Sequence, residues 1–186
     1  MFAGSGCIGI AVLKHLPNAQ VVFAEKNPKL LEQIKINCKI NKIPKNRYTI
    51  IQSDIFRVSN TSILPSIEVF GKFDYIFANP PYISQKRRGK IQKSVLDYEP
   101  HLAMFGGRDG LFHIRKFLAG AKNFLNPSTR TSSEPQSNSS GQVPKIFMEF
   151  DSIQKKQIKK LLKKLGYKNY EFHRDQYRKW RWVVIS

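Results

Sequence analysis

Four residues closing an apolar run, Asn79-Pro80-Pro81-Tyr82, have the types and the order to hold a flat –NH₂ group. Proline excludes the residue before it from the helical region, so Asn79 and Pro80 are both extended, and neither proline carries an N–H. What remains is a stiff corner of acceptors. The Asn79 side-chain oxygen and the Pro80 carbonyl can receive both hydrogens of an amide or an exocyclic amine, with the Tyr82 ring over its face. The competing explanation is a plain strand-to-loop turn, where Asn and Pro are common.

A second set lies near the N-terminus. Gly4-Ser5-Gly6-Cys7-Ile8-Gly9 matches the pattern G-x-G-x-x-G, with Glu25 at the distance of a ribose contact. Glycines let a ligand approach the backbone closely, and a carboxylate accepts from two ribose hydroxyls. The same loop and acid serve either a dinucleotide or S-adenosylmethionine, and the loop alone does not choose between them. Asp54 and Asn79 favour S-adenosylmethionine: Asp54 can accept from an adenine amino group, and Asn79 is expected across a crevice from a transferable methyl. A nicotinamide enzyme has no evident use for an Asn-Pro-Pro-Tyr corner.

These residues need strand ends to position them. Apolar, β-branched stretches at 20–24, 48–52, 73–78 and 145–150 read as strands, the 73–78 run as a buried one. A helix with Ile10, Leu13 and Leu16 inside follows the glycine loop, and a second starts at Pro28, which suits a first helical turn. Further helices are expected at 110–125 and 152–165, the latter burying Ile158, Leu161, Leu162 and Leu165 and exposing Lys155, Lys156, Lys159, Lys160, Lys163 and Lys164. The last two strands are expected at 167–172 and 180–185. Alternating strands and helices imply an open, mostly parallel α/β sheet with its ligand beyond the carboxyl ends of the strands. Gly4 to Gly6, Glu25, Asp54 and Asn79 all fall at such ends. The Ser/Thr/Pro/Asn/Gln-rich tract 126–144 has no apolar period and reads as a flexible surface insertion.

Composition sets the outer bounds. At 186 residues and 41% hydrophobic content the chain suits one well-cored domain. It has no apolar run near the roughly 18 residues of a membrane span and no visible secretory signal. Cys7 and Cys38 are too few for a disulfide framework and have no metal-site spacing, so a reducing compartment is expected and a metal is not. The net charge of +19 can steer an anionic partner such as nucleic acid or a ribosome-associated protein, although lysines spread over the whole chain support no particular nucleic-acid site.

With these residues in view, the chain resembles the class I methyltransferases that modify the glutamine of peptide chain release factors, the HemK or PrmC family. The resemblance covers nearly the whole chain. It rests on Gly4-Ser5-Gly6-Cys7-Ile8, Gln52-Ser53-Asp54-Ile55-Phe56, Asn79-Pro80-Pro81-Tyr82-Ile83, Ser94-Val95 with Tyr98-Glu99-Pro100 and Leu102-Ala103, and Gly107-Arg108-Asp109-Gly110-Leu111. It implies a Rossmann-like fold with an antiparallel last strand, S-adenosylmethionine as cofactor, and the Gly-Gly-Gln loop of a release factor as partner. By the same resemblance, Ala3, Gly4, Ser5 and Gly6 line the methionine part of the cofactor, Glu25 binds its ribose, and Asp54 with Ile55 contacts the adenine. Asn79 and Pro80 hold the substrate amide, with Pro81 and Tyr82 beside it; Asn79, Pro80 and Tyr82 form the catalytic set, and Asn79 also belongs to the cofactor-binding set. Phe2 before the loop, the basic segment after Tyr82 and the high charge look most like mitochondrial members from yeasts, so a monomer in the mitochondrial matrix is expected, or in the cytoplasm if the source is bacterial. Family members also carry a first strand ending in an acid, preceded by a helical docking region. Only Met1, Phe2 and Ala3 precede the loop here, so the first strand is expected to be largely missing and the helical region absent. Two rival functions stay open: an adenine-amino methyltransferase acting on DNA or RNA, and an inactive remnant that binds RNA or protein.

Overall fold

The computed structural model describes residues 1–58, 70–90, 104–126 and 145–186. The insertion beyond Asn126 and the motif residues Ser94, Val95, Tyr98, Glu99, Pro100, Leu102 and Ala103 lie outside the described residues. The chain forms two compact units, Met1–Gly71 and Lys72–Ser186.

In the first unit, the left-handed Gly6 (φ 84°) starts α1 (Cys7–His15), whose last turn carries Lys14 and His15 where cations suit the helix dipole. β1 (Val21–Glu25) leads to α2 (Pro28–Ile40), which has Pro28 in its first turn and the Asn27 side chain accepting from the Lys29 amide at 3.0 Å. β2 (Tyr48–Asp54) pairs parallel to β1, with Glu25 opposite Gln52, so Glu25 and Asp54 leave the sheet at the same end. A short β3 (Arg57–Val58) turns back antiparallel on β2. Ile10, Leu13, Phe23, Ile34, Cys38 and Ile43 form the core. Burying a side chain of the size of Leu13, Phe23 or Ile34 contributes about 1.5–3 kcal/mol, the main force holding α1 and α2 to the sheet. Leu16, expected on the inner face of the first helix, is instead its C-cap and 57% exposed, because the helix ends before the turn that would carry it inward.

The second unit holds β4 (Ile76–Ala78), β5 (Ile146–Glu149), β6 (Tyr170–Arg174) and β7 (Trp180–Ile185), ordered β4-β5-β7-β6. β4 and β5 are parallel, and β7 lies antiparallel to both β5 and β6. The last strand is therefore the reversed one, as expected. The 73–78 run is not one buried strand. Phe73 bridges Leu125, and the ladder to β5 begins only at Ile76. Burial along it alternates: Ile76 and Ala78 are buried, whereas Tyr75 and Phe77 are exposed, Phe77 stacking on Phe147 of β5. A continuous apolar run thus served two neighbours in succession and one buried face, which periodicity could not distinguish.

α3 (Phe112–Ala121) buries Ile114, Phe117, Leu118 and Ala121 and ends in a 3₁₀ turn at Lys122–Phe124, so it is shorter than the expected 110–125. α4 (Lys155–Lys164) follows a 3₁₀ turn at Ser152–Gln154 and buries Ile158 and Leu162, with Leu161 and Leu165 half-buried. Lys156, Lys159, Lys160, Lys163 and Lys164 are exposed as expected, but Lys155 is half-buried over the Trp180 ring. Among the described residues no helix is long and apolar enough to cross a membrane.

Candidate functional site

In the first unit the glycine loop is built from backbone conformation. Gly4 and Gly6 have φ of 55° and 84°, a region L side chains rarely adopt. The third glycine of the pattern does something else: a Cβ on Gly9 would lie 2.3 Å from Phe23 Cε1, so Gly9 lets α1 lie close on β1. A Cβ on Gly4 would meet nothing within 4 Å, which leaves its face open to a ligand. Glu25 ties the loop to the strand end. Its Oε2 accepts from the Gly4 amide at 2.9 Å, and its Oε1 accepts from the amides of Lys26 at 2.8 Å and Asn27 at 2.9 Å. A carboxylate offers about four lone-pair sites, so Glu25 keeps capacity for one ribose hydroxyl, and a second would have to displace a backbone amide.

Asp54, at the end of β2, pairs with Lys26 Nζ at 3.0 Å. Both side chains are well exposed, and such a pair contributes about 0–1 kcal/mol, so the carboxylate is readily released to another donor. Ile55 next to it is 7% exposed and has φ 61°. It opens the two-residue connection between Asp54 and Arg57, which face each other across the β2–β3 pair. Glycine is usual at such a position, and a β-branched residue there costs about 1–3 kcal/mol. That strain falls on a residue expected to touch adenine. An open face at Gly4, one free lone-pair site on Glu25 and a releasable carboxylate on Asp54 are compatible with S-adenosylmethionine, for which the resemblance implies Ala3 to Gly6 at the methionine part, Glu25 at the ribose, and Asp54 with Ile55 at the adenine.

In the second unit Asn79 stands exposed just past β4, and Pro80 and Pro81 are buried. Among the described residues nothing donates to the Pro80 carbonyl or bonds the Asn79 side chain. Tyr82 is held at both ends. Its hydroxyl donates to Glu149 Oε1 at 2.9 Å, and its carbonyl accepts from Gln154 Nε2 at 2.9 Å. Burial, followed by the charge and the hydrogen bond of Glu149, pushes the Tyr82 hydroxyl up to about 12 against the smaller opposing pull of the Arg181 guanidinium. The glycine-rich stretch packs on the same backbone: a Cβ on Gly106 would lie 2.3 Å from the Pro81 carbonyl oxygen, and one on Gly110 2.2 Å from that of Tyr82. The chain after the corner is fixed by Ile83, which donates to Met104 O and accepts from the Gly106 amide, both at 2.9 Å.

Glu25, Asp54, Ile55 and Asn79 to Tyr82 fall at a strand end or in the loop just beyond one, whereas Ala3 to Gly6 precede α1 with no strand before them, the Ala3 amide donating to the Ala24 carbonyl of β1 at 3.1 Å. Of the residues expected at the cofactor, Asn79 lies in the second unit and the others in the first. Sequence reasoning missed Glu149, Gln154 and Gly106. Asp151 and Gln154 have the spacing of a capping box, which forms here, the Asp151 amide donating to Gln154 Oε1 at 3.1 Å. That spacing could have marked a helix start, but not the contact the Gln154 side chain makes with Tyr82.

The model of the methyltransferase small domain family matches residues 1–107, and the chain belongs to that family. The chain is 30% identical over 184 residues to a release factor glutamine methyltransferase of Flavobacterium psychrophilum, which covers 98% of this chain and 55% of that one. It is 32% identical over 146 residues to a bifunctional methyltransferase of Rickettsia conorii, covering 78% of this chain and 26% of the relative. The chain thus spans about half the length of the first relative and a quarter of the second. A methyltransferase from Pyrococcus furiosus shares the fold, with a TM-score of 0.58 and 17% identity over 98% of this chain and 70% of that one. These likenesses bear out the resemblance to the HemK and PrmC family and the α/β methyltransferase fold; a domain of this class takes S-adenosylmethionine as its methyl donor.

Proposed function

We propose that this protein methylates the side-chain nitrogen of a glutamine, the one in the Gly-Gly-Gln motif of a peptide chain release factor. The observation that carries the reading is the corner itself: two acceptors without partners among the described residues, Asn79 Oδ1 and Pro80 O, next to a Tyr82 fixed at both ends. The likeness to a release factor glutamine methyltransferase supports the choice of substrate.

An amide nitrogen is a poor nucleophile because its lone pair is delocalised into the carbonyl. Asn79 Oδ1 and Pro80 O accept its two N–H bonds, turn the nitrogen face outward, and interact more strongly as positive charge develops there. S-adenosylmethionine, when bound, supplies a methyl carbon made electrophilic by its sulfonium. Fixing the amide in one orientation can supply about 7–11 kcal/mol of the barrier by the effective-molarity argument, so the corner needs no strong base. The surplus proton on nitrogen then leaves to water past the exposed Asn79.

Replacing Asn79 with Ala in the full chain is expected to abolish methylation of a Gly-Gly-Gln release factor while S-adenosylmethionine affinity, read by calorimetry, stays near wild type. Retained turnover refutes the role of Asn79. Methyl label entering adenine in DNA or RNA, and not the release factor, overturns the substrate.

A further inference from the structure

The corner has a mechanical problem. Neither Pro80 nor Pro81 has an N–H, so past Asn79 the backbone cannot continue a ladder through its own donors. Its position must be imposed through acceptors and side chains, and the segment that begins at the end of β5 supplies one of each to Tyr82. The last ladder pair between β4 and β5 is Ala78 with Met148, and one residue further along each strand come Asn79 and Glu149. Glu149 takes the Tyr82 hydroxyl, and Gln154, five residues on, donates to the Tyr82 carbonyl.

Gln154 is 2% exposed, and its amide joins three segments. Besides Tyr82 O, Nε2 reaches Asp109 O at 3.4 Å in the glycine-rich stretch, and Oε1 accepts from the Asp151 amide. Burying an amide costs about 1–3 kcal/mol unless its bonds are made, and an apolar side chain would fill the space without that cost. A cap for the 3₁₀ turn does not require burial either, since the Asp151 side chain already accepts from Ile153 N. The contacts left to explain the buried amide are those to Tyr82 and Asp109.

We propose that Glu149 and Gln154 are positioning residues for the amide-holding corner: by gripping the hydroxyl and the carbonyl of Tyr82 they fix where Asn79 Oδ1 and Pro80 O point. The inference rests on the reading that this corner holds the substrate amide. Neither residue touches the substrate; both act through Tyr82.

The test uses Glu149→Ala, Glu149→Gln and Gln154→Met in the full chain, with Asn79→Ala as control. In Glu149→Gln the new amide oxygen still accepts from the phenol, whereas Gln154→Met keeps the volume of glutamine and loses the donor. Glu149→Ala and Gln154→Met are expected to lower kcat for release factor methylation by about 10²-fold, the penalty of a misplacement near 1 Å, with KM for S-adenosylmethionine unchanged and Glu149→Gln recovering most of the loss. Wild-type kcat in both Glu149→Ala and Gln154→Met overturns the proposal. So does a loss of kcat accompanied by loss of cofactor binding, or a Glu149→Gln variant no better than Glu149→Ala, since either is the mark of general unfolding. If Asn79→Ala abolishes turnover while these variants do not, the corner stands and its bracing falls; if Asn79→Ala retains turnover, the reading of the corner itself fails.

Discussion

The glycine loop of the first unit turns through two left-handed glycines of its own, Gly4 and Gly6, and its side-chain ties, Glu25 to the Gly4 amide and Asn37 to the Ser5 carbonyl, span 21 and 32 positions. The proline corner of the second unit has no such freedom, and its ties reach 67 and 72 positions along the chain, to Glu149 and Gln154. The difference follows from the backbone chemistry. Glycine gives a loop access to a conformation, and the loop then holds itself with its own amides. Proline removes both the conformational choice and the donor, so a proline corner is rigid locally but must be placed by groups from elsewhere. The glycine loop thus takes its turn from its own backbone, and the proline corner is placed by contacts from more distant segments.

The sharpest way to break this comparison is Gly110→Ala. Gly110 has φ 77°, and its Cβ would stand 2.2 Å from the Tyr82 carbonyl oxygen and 2.5 Å from Gln154 Nε2. The left-handed backbone costs an alanine about 1–2 kcal/mol and overpacking against a fixed backbone about 1–3 more, so a destabilisation of about 2–5 kcal/mol is expected by denaturant midpoint. Gly4→Ala is its counterpart in the first unit. There φ is 55° and the Cβ meets nothing, so only the backbone cost of about 1–2 kcal/mol remains. If the bound loop keeps that conformation and the free loop relaxes out of it, the cost appears as roughly tenfold weaker cofactor binding. An equal loss of stability in the two variants would contradict the claim that only the corner is packed against its glycine.

This asymmetry also decides what could be read from the chain alone. Gly4, Gly6, Glu25 and Asp54 were legible because each is a local event: a turn glycine, or an acid ending a short β-branched run. The helix opened by Pro28 and the reversed last strand were legible too, the first from a proline in the first turn and the second from the family resemblance. Asn79 to Tyr82 could be picked out as a corner, since proline restricts its neighbours whatever the fold. What holds that corner could not. Glu149 reads as the polar end of an apolar strand and Gln154 as a helix-start residue, and their contacts to Tyr82 exist only once β4 and β5 are paired. Phe73 to Ala78 failed for the complementary reason: an apolar run records that a segment is covered, and not how many partners share the covering. The positive φ of Ile55 had no signal at all, because nothing about an isoleucine announces a left-handed turn.

The smallest expected effect tests whether Tyr82 is held in solution as the geometry implies. Its hydroxyl is pushed up to about 12, first by burial and then by Glu149, and the Tyr167 hydroxyl, which donates to Leu118 O, is pushed to about 12 by burial alone. In the unfolded chain both titrate near their ordinary value of about 10. As pH rises past 10 the unfolded state releases these protons while the folded state keeps them, so the stability the two hydroxyls contribute is fully present below pH 10 and is lost as pH approaches 12. Tyr82→Phe removes one of the two groups. The part of the decline in unfolding free energy that depends on these tyrosines is then expected to fall by about half between pH 10 and pH 12, with Tyr167→Phe giving a similar change and the double variant removing both. A Tyr82→Phe decline indistinguishable from wild type would mean that the phenol is not desolvated against Glu149, and Tyr82 would then be held by Gln154 through its carbonyl without the hydroxyl tie.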